Sequence, residues 1–313
     1  MTGKTDYFGT VVIPLFNERE SLVELHRQLT AVMERTFAGH ELIFIDDGST
    51  DGSIDALREL RAGDRRVKII SFRRNYGKSA ALSDGFKAAR GDVVITIDAD
   101  LQDNPEEIPG LVAKLDEGYD LVSGWKLKRK DPITKTLPSR LFNLTTSLVS
   151  GIKLHDFNCG LKAYRGEVVK RISIYGELHR FIPVIAGWEG FRVTEKRVTH
   201  FERKYGRSKF GARRFLNGMF DLATVMFLTR RASTPFHFFG RVAFLFLAAG
   251  SLITLYFLVI WMLGHGLRVR PLMVGGLVMI VIAIQIGSFG LLAELFTSRV
   301  ERTFAYREHR IDD

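Results

Sequence analysis

Two carboxylates one residue apart, in Asp98-Ala99-Asp100, follow the apolar run VVITI, and Gln102 stands two positions further on. Hard cations such as Mg2+ take oxygen ligands and are commonly held by one or two carboxylates together with substrate phosphates. A pair at this spacing on a strand end suits that task, with the cation neutralising a departing diphosphate. The plainer reading is a helix cap, and Asp103-Asn104-Pro105-Glu106-Glu107 has that form. A second cluster, Asp46-Asp47-Gly48-Ser49, follows LIFI. One of its carboxylates could accept the imide N–H of a uracil or the donors of a guanine. Pro14-Leu15-Phe16-Asn17-Glu18 could supply an aromatic face and backbone contacts for such a base. Alternatively, Asp46, Asp47 and Asn17 are helix-start caps. Two nucleotide signatures are excluded: Gly77-Lys78-Ser79 lacks the glycine of a phosphate-binding P-loop, which would fall at Phe72, and no G-x-G-x-x-G follows a strand.

The elements that must position these groups alternate along the chain. GTVVIPL, HELIFIDDGS, RVKIISF and DVVITIDAD read as strands; ESLVELHRQLTAVMERTF, SIDALRELRAG and KSAALSDGFKAARG read as helices. Apolar β-branched runs followed by amphipathic helices make βαβ units and a mostly parallel sheet with helices on both faces. Functional groups then gather at the C-terminal ends of strands, here PLFNE, DDGS and DADLQ. No internal repeat or low-complexity tract interrupts this order.

The C-terminal third differs in composition. Val242 to Leu263 carries no charge and is long enough to span a hydrocarbon core of ~30 Å. A second run, Leu272 to about Phe296, holds only Glu294, and GHGLRVRP joins the two as a hairpin loop. The alternative is a pair of buried core helices. Arg230, Arg231 and Arg241 precede the hairpin and Arg299, Arg302 and Arg307 follow it, against Arg268 and Arg270 in the loop, so both ends are expected in the cytoplasm. Between Arg203 and Arg231 there are eight basic residues and one acid, Asp221, interleaved with Phe210, Phe215, Phe220 and Phe227. This reads as interfacial helices on anionic lipid, or as a basic patch that only sets topology. The net charge of +10 suits polyanionic partners, but the excess abuts a membrane span, so lipid rather than nucleic acid is the expected partner. The single Cys159 cannot form an internal disulfide, which fits a reducing compartment. The segment MTGKTDYFGTVVIPLFNERE lacks the pattern of a signal peptide, and the catalytic part is expected in the cytoplasm.

VVIPLFNERESL, IFIDDGSTDGS, RRNYGKSAALSDGFKAARGDVVITIDADLQDNPEEIP, HDFNCGLKAYR, HRFIP and FERKYGRSKF together resemble family 2 glycosyltransferases over about residues 8–300. The resemblance is to the polyprenyl-phosphate hexose synthase branch, which includes dolichol-phosphate mannose synthases and bacterial undecaprenyl-phosphate glucosyltransferases with a two-helix anchor. It implies an α/β GT-A fold, Rossmann-like, with amphipathic juxtamembrane helices and a C-terminal transmembrane hairpin. The expected organisation is a catalytic domain over 1–210, an interfacial segment over 211–235, two spans over 236–300 and a cytoplasmic tail over 301–313, multi-pass in the inner membrane. The implied reaction is inverting transfer of a hexose from a nucleotide-sugar to polyisoprenyl phosphate with Mg2+ or Mn2+. The donor is of UDP-glucose type, with GDP-mannose as the alternative, and a homo-oligomer is left open.

Position by position, the resemblance makes Pro14, Phe16, Glu18 and Asp47 nucleotide contacts, and Asp98, Asp100 and Gln102 the metal and diphosphate set; Asp46 and Ala99, next to them in the two clusters, are further candidates for substrate binding. Phe16 stands where the family usually has Tyr, which removes a hydroxyl and keeps the ring. Arg140, Arg203 and Lys209 match the basic residues around the acceptor phosphate and the donor diphosphate. Gly124-Trp125-Lys126 replaces a common G-S-R, keeping charge without the guanidinium fork. The Q-x-x-R-W element of processive synthases is absent, with LHRFIP at Leu178–Pro183 instead. A phosphate monoester is already anionic near neutral pH, so the site must chiefly bring two anions together and stabilise the departing diphosphate. A hydroxyl acceptor, on a glycan or other lipid, would need a base, for which Asp156 is the candidate; its other role is to hold the acceptor loop or hexose hydroxyls. His155 and His179 are expected to pack or hydrogen-bond locally. A non-catalytic membrane module of the same fold is the rival from another class, and it would tolerate loss of an Asp or cation that this chain retains.

Overall fold

The computed structural model describes residues 4–126, 143–201, 235–264 and 271–308, with side chains to residue 295. Arg140, Arg203, Lys209 and the expected interfacial segment up to residue 234 lie outside the described residues. The chain divides into two compact units, Met1–Val225 and Met226–Asp313.

In the first unit the seven expected elements form in order. Strand β1 (Thr5–Leu15) is buried from Gly9 onward, as a central strand covered on both faces must be. Helix α1 (Leu22–Thr36) buries Leu22, Leu25, Leu29, Val32 and Met33 at helical spacing against the sheet. Strand β2 (Phe37–Asp46), helix α2 (Ser53–Gly63), strand β3 (Val67–Ser71), helix α3 (Lys78–Ala88) and strand β4 (Val93–Thr96) follow. β1, β2, β3 and β4 pair in parallel, in the order β3-β2-β1-β4.

Beyond β4 the sheet continues with helix α4 (Ile108–Asp116), strand β5 (Leu121–Lys126), strand β6 (Lys162–Arg165), helix α5 (Gly166–Arg171), helix α6 (Ile182–Trp188) and strand β7 (Val193–Val198). The full order is β3-β2-β1-β4-β6-β5-β7, with β6 antiparallel to both its neighbours and β7 parallel to β5. The core is one contiguous cluster of aliphatic side chains from β1, β2 and β4 with α1 and α4, extended by Phe37 and Phe44.

The second unit is a helical hairpin. Helix α7 (Pro235–Met262) and helix α8 (Pro271–Glu308) contain apolar stretches, Phe236–Met262 and Pro271–Leu295, with mean hydropathy 2.4 and 2.3, both long and apolar enough to cross a membrane. In the 18-residue apolar window of each, only 11% is buried, which argues against paired core helices. Close approach of the backbones requires glycine: a Cβ on Gly250 would lie 2.7 Å from the Gly276 carbonyl, and one on Gly276 would lie 2.8 Å from Ile253. Glu294, the one acid in the second apolar run, accepts the Phe236 backbone N–H at 3.1 Å, so it caps the start of α7. α8 continues unbroken to Glu308, beyond the span expected to end near Phe296, because no Gly or Pro interrupts FTSRVERTFAYRE.

Candidate active site

The C-terminal ends of β1, β2 and β4 lie side by side. Leu15 is paired with Asp46, Asp46 with Ser71, and Val12 with Thr96, so the three expected motifs leave the sheet at one edge. Their loops are tied to one another. Asn17, with φ of 58°, accepts the Thr50 N–H through its side chain at 2.8 Å and donates its own N–H to Ser49 Oγ at 2.8 Å. Asp46 accepts Ser49 N–H at 3.0 Å and Ser71 O–H at 3.2 Å. Asp47 accepts the N–H groups of Tyr76 and Gly77 at 2.7 and 2.9 Å, fixing the turn that leads into α3. Gly48 allows this turn to close: its φ is +73°, and a Cβ there would lie 2.5 Å from the Arg74 backbone. Asp46 and Asp47 are both buried and hold the loops around them, but neither caps a helix as the alternative reading expected: α2 and α3 start after Gly52 and Gly77 with no side-chain cap. Pro14 is buried, while Phe16 and Glu18 are half-buried at the same edge.

At the end of β4, Asp98 keeps a third of its side chain exposed, Ala99 is buried, and Asp100 is 8% exposed. The turn between them and Gln102 is strained. Leu101 sits at φ of 60°, a left-handed conformation that costs a branched side chain roughly 1–2 kcal/mol. That conformation turns the Gln102 N–H back onto the Asp100 carboxylate at 3.2 Å. Gln102 also accepts the Phe201 N–H on its carbonyl at 2.8 Å, and Asp103 bridges His200, so the chain at 200–201 runs against the site turn. Asn104 caps the next turn by accepting the Glu106 N–H at 3.1 Å.

Three features around Asp98 are not read from the sequence. Lys78, the first residue of α3, forms an ion pair with the Asp98 carboxylate. Gly160 packs directly on that carboxylate, and a Cβ there would lie 2.6 Å from it. Lys162, on β6, is buried and donates to the Cys159 carbonyl; burial pushes its pKa down. Lys78, Asp98, Asn158, Gly160, Lys162 and Tyr164 line one recess behind the strand ends. The signal for Lys78 was present in Gly77-Lys78-Ser79: a cation opening a helix beside a strand end matters whether or not a P-loop precedes it. Gly160 and Lys162 lie within HDFNCGLKAYR, one of the segments that carry the resemblance, but no role could be read for either, because that depends on β6 entering antiparallel beside β4.

Lys126 lies in a buried pair with Asp103 at 2.7 Å, and His200 approaches the same carboxylate at 3.5 Å. Burial opposes the charge on both partners, but their mutual attraction outweighs it: the Lys126 pKa is raised and the Asp103 carboxyl is held well below the usual range. Cys159 is a neutral thiol beside them, its pKa pushed up to about 12 by burial. Asp156 is 1% exposed, with its Oδ1 accepting the Asn158 N–H at 3.0 Å and its carbonyl accepting from Ser123. His155 pairs with Glu195 and stacks on Trp125 at 4.1 Å, and His179 bonds Ser79 at 3.0 Å.

Among the described residues no three His, Cys, Asp or Glu side chains converge as a metal site. Asp98 and Asp100, two carboxylates at the end of β4, are the kind of oxygen ligands that would hold Mg2+ or Mn2+ together with a bound diphosphate. The open carboxylate of Asp98, balanced here by a lysine, is consistent with that donor set.

Residues 10–173 match the profile of Glycosyl transferase family 2. The chain is 36% identical over 308 residues to dodecaprenyl-phosphate galacturonate synthase of Rhizobium johnstonii, covering 96% of this chain and 89% of that protein. It is 41% identical over 253 residues to undecaprenyl-phosphate 4-deoxy-4-formamido-L-arabinose transferase of Pseudomonas aeruginosa, covering 80% and 73%. Among solved structures, glucosyl-3-phosphoglycerate synthase of Mycobacterium tuberculosis, in complex with Mn2+, UDP-glucose and phosphoglyceric acid, superposes with a TM-score of 0.54 at 20% identity, over 70% of this chain and 80% of that one. The sheet order, the strand-end carboxylates and these likenesses agree: the chain is a GT-A glycosyltransferase of family 2.

Proposed function

We propose that the protein transfers a sugar from a nucleotide-sugar to polyisoprenyl phosphate, with inversion and with a divalent cation, from the cytoplasmic face of a membrane. The observation that carries this reading is the 36% identity that runs through both the sheet and the hairpin to a relative named for a dodecaprenyl-phosphate product. The second relative is named for undecaprenyl phosphate as well. Their sugars differ, galacturonate in one and 4-deoxy-4-formamido-L-arabinose in the other, so acceptor class is the common property. The donor in our reading is a UDP-sugar, of glucose type on the sequence argument, with GDP-mannose as the alternative.

The roles follow from charge. Pro14, Phe16, Glu18 and the Asp46–Asp47 turn line the edge where the nucleotide binds. Asp98 and Asp100, with Gln102 beside them, hold a cation, Mg2+ or Mn2+, which when bound supplies positive charge to the departing nucleoside diphosphate. Arg203 and Lys209, outside the described residues, follow Phe201, whose backbone is hydrogen-bonded to Gln102 at the site turn. They also precede the basic, aromatic segment and the hairpin, an order that suits a phosphate at headgroup depth with its tail in the bilayer. Arg140 and Lys126 complete the cationic set in this reading; the Lys126 ammonium acts through the turn at Asp103 that it pairs with. Asp156 is buried and bonded within its own loop, which supports a positioning role and gives no support to a base for a hydroxyl acceptor.

Arg203→Ala and Lys209→Ala test the reading. Each is expected to lower transfer to undecaprenyl phosphate by roughly a hundredfold, as loss of a charge-stabilising donor does, while slow hydrolysis of the donor by water, which needs no acceptor site, falls less. Normal transfer by both variants would return the mechanism to a hydroxyl acceptor.

A further inference from the structure

We propose that Lys78 is the resident counter-ion of the cation site, and that its displacement from Asp98 makes cation and nucleotide binding interdependent. The proposal rests on the reading of Asp98 and Asp100 as cation ligands. Lys78 and Asp98 form an ion pair in which each side chain is about one-third exposed. Both side chains border the same recess, and their exposed third lets solvent reach the pair without any rearrangement of the sheet. The lysine is the first residue of an 11-residue helix whose preceding turn is pinned by Asp47, through the N–H groups of Tyr76 and Gly77. The helix start is thus fixed in place, and the flexible part of the arrangement is the lysine side chain.

The charges then dictate an order of events. Without ligands, Lys78 neutralises Asp98. A divalent cation arriving alone must displace the ammonium from its carboxylate and leave two positive centres side by side, which costs binding energy. A nucleoside diphosphate arriving alone meets the negative Asp98. When both arrive, the cation takes Asp98 and the freed ammonium of Lys78 takes a phosphate oxygen, helped by the positive end of the helix it begins. Each ligand therefore strengthens the other, and by linkage the two effects are equal. No bond is made or broken in this exchange.

The test uses the purified full-length protein in detergent micelles. Mn2+ binding is followed by the electron paramagnetic resonance signal of the free ion, with and without saturating UDP. In wild type, Mn2+ binding tightens strongly when UDP is present. In Lys78→Met, Mn2+ alone should bind about two- to fivefold more tightly than in wild type, the scale of a partly exposed ion pair. UDP should add correspondingly less, so the ratio of the two Mn2+ affinities shrinks. Lys78→Gln should behave in the same way, and coincident thermal melts would show that both variants fold. Unchanged or weaker Mn2+ binding by both variants without UDP would overturn the proposal. Asp98→Asn separates this from the reading beneath it: if that variant binds Mn2+ as wild type does, the cation assignment itself fails and Lys78 has nothing to compete with. If Asp98→Asn loses Mn2+ while Lys78→Met matches wild type, only the counter-ion proposal falls.

Discussion

Asp98 is held on three sides by groups of different kinds. β4 delivers it to the sheet edge, Lys78 neutralises it, and Gly160 leaves the space its carboxylate fills. A methyl group at Gly160 would have to push the carboxylate aside, since Asp98 is backed by the recess wall and by its lysine. Gly160→Ala is therefore expected to lower turnover by about a hundredfold, the scale of a misplacement of about 1 Å in a reacting site. The thermal midpoint should move less than the rate, because the added Cβ meets the end of a side chain, the Asp98 carboxylate, rather than backbone. Steady-state kinetics beside a melt would check both. Asp100→Ala should abolish cation-dependent turnover in a protein that remains folded; near-normal activity of that variant in the presence of a chelator would contradict the assignment. The carboxylate pair was legible because its spacing and its place after VVITI are sequence properties. The lysine that faces it was not, since Gly77-Lys78-Ser79 suggests a phosphate loop first and fails that test.

At the level of elements, the parallel half of the sheet was readable from alternating apolar runs and amphipathic helices, and β1 to β4 with α1 to α3 form where those patterns predict. The other half was less so. β6 is only four residues long, LKAYR places a lysine at its start, and that lysine is buried, so no pattern of apolar residues announces an antiparallel strand between β4 and β5. The same half contains the pair of Asp103 and Lys126, which joins the turn after the Asp98–Asp100 motif to the end of β5. The folded Asp103 carboxyl titrates below the unfolded value of about 4. Its contribution to stability is then fully present above about pH 4 and is lost as pH falls through the depressed folded value. Asp103→Asn, which leaves Lys126 buried without its partner, should destabilise the protein at pH 7 by about 3 kcal/mol. The gap from wild type should narrow as acid titrates the wild-type carboxyl. Denaturant melts at pH 7 and pH 3 would show it, and a gap that widened in acid would assign the pair the wrong sign.

On the scale of the whole molecule, the chain joins a sheet unit to a hairpin whose two helices meet at glycines and expose most of their apolar surface. Both stretches were legible as apolar runs, and their seam was not, because only the packed pair reveals that Gly250 faces the Gly276 backbone and Gly276 the side chains of Ile253 and Thr254. In the proposed orientation both ends of the hairpin are cytoplasmic. A reporter fused after Asp313 should behave as cytoplasmic and one inserted near Gly266 as external, and the reverse labelling would move the site across the membrane.

The central claim is that a lipid phosphate, rather than a hydroxyl, attacks the sugar. Wild-type protein with Mn2+ and a panel of labelled nucleotide-sugars that includes a uronic acid donor should be offered undecaprenyl phosphate and undecaprenol in parallel, and the lipid product identified by mass spectrometry. The account predicts a sugar joined to undecaprenyl phosphate through an inverted anomeric bond, with no product from undecaprenol. A preference for the unphosphorylated alcohol would contradict it.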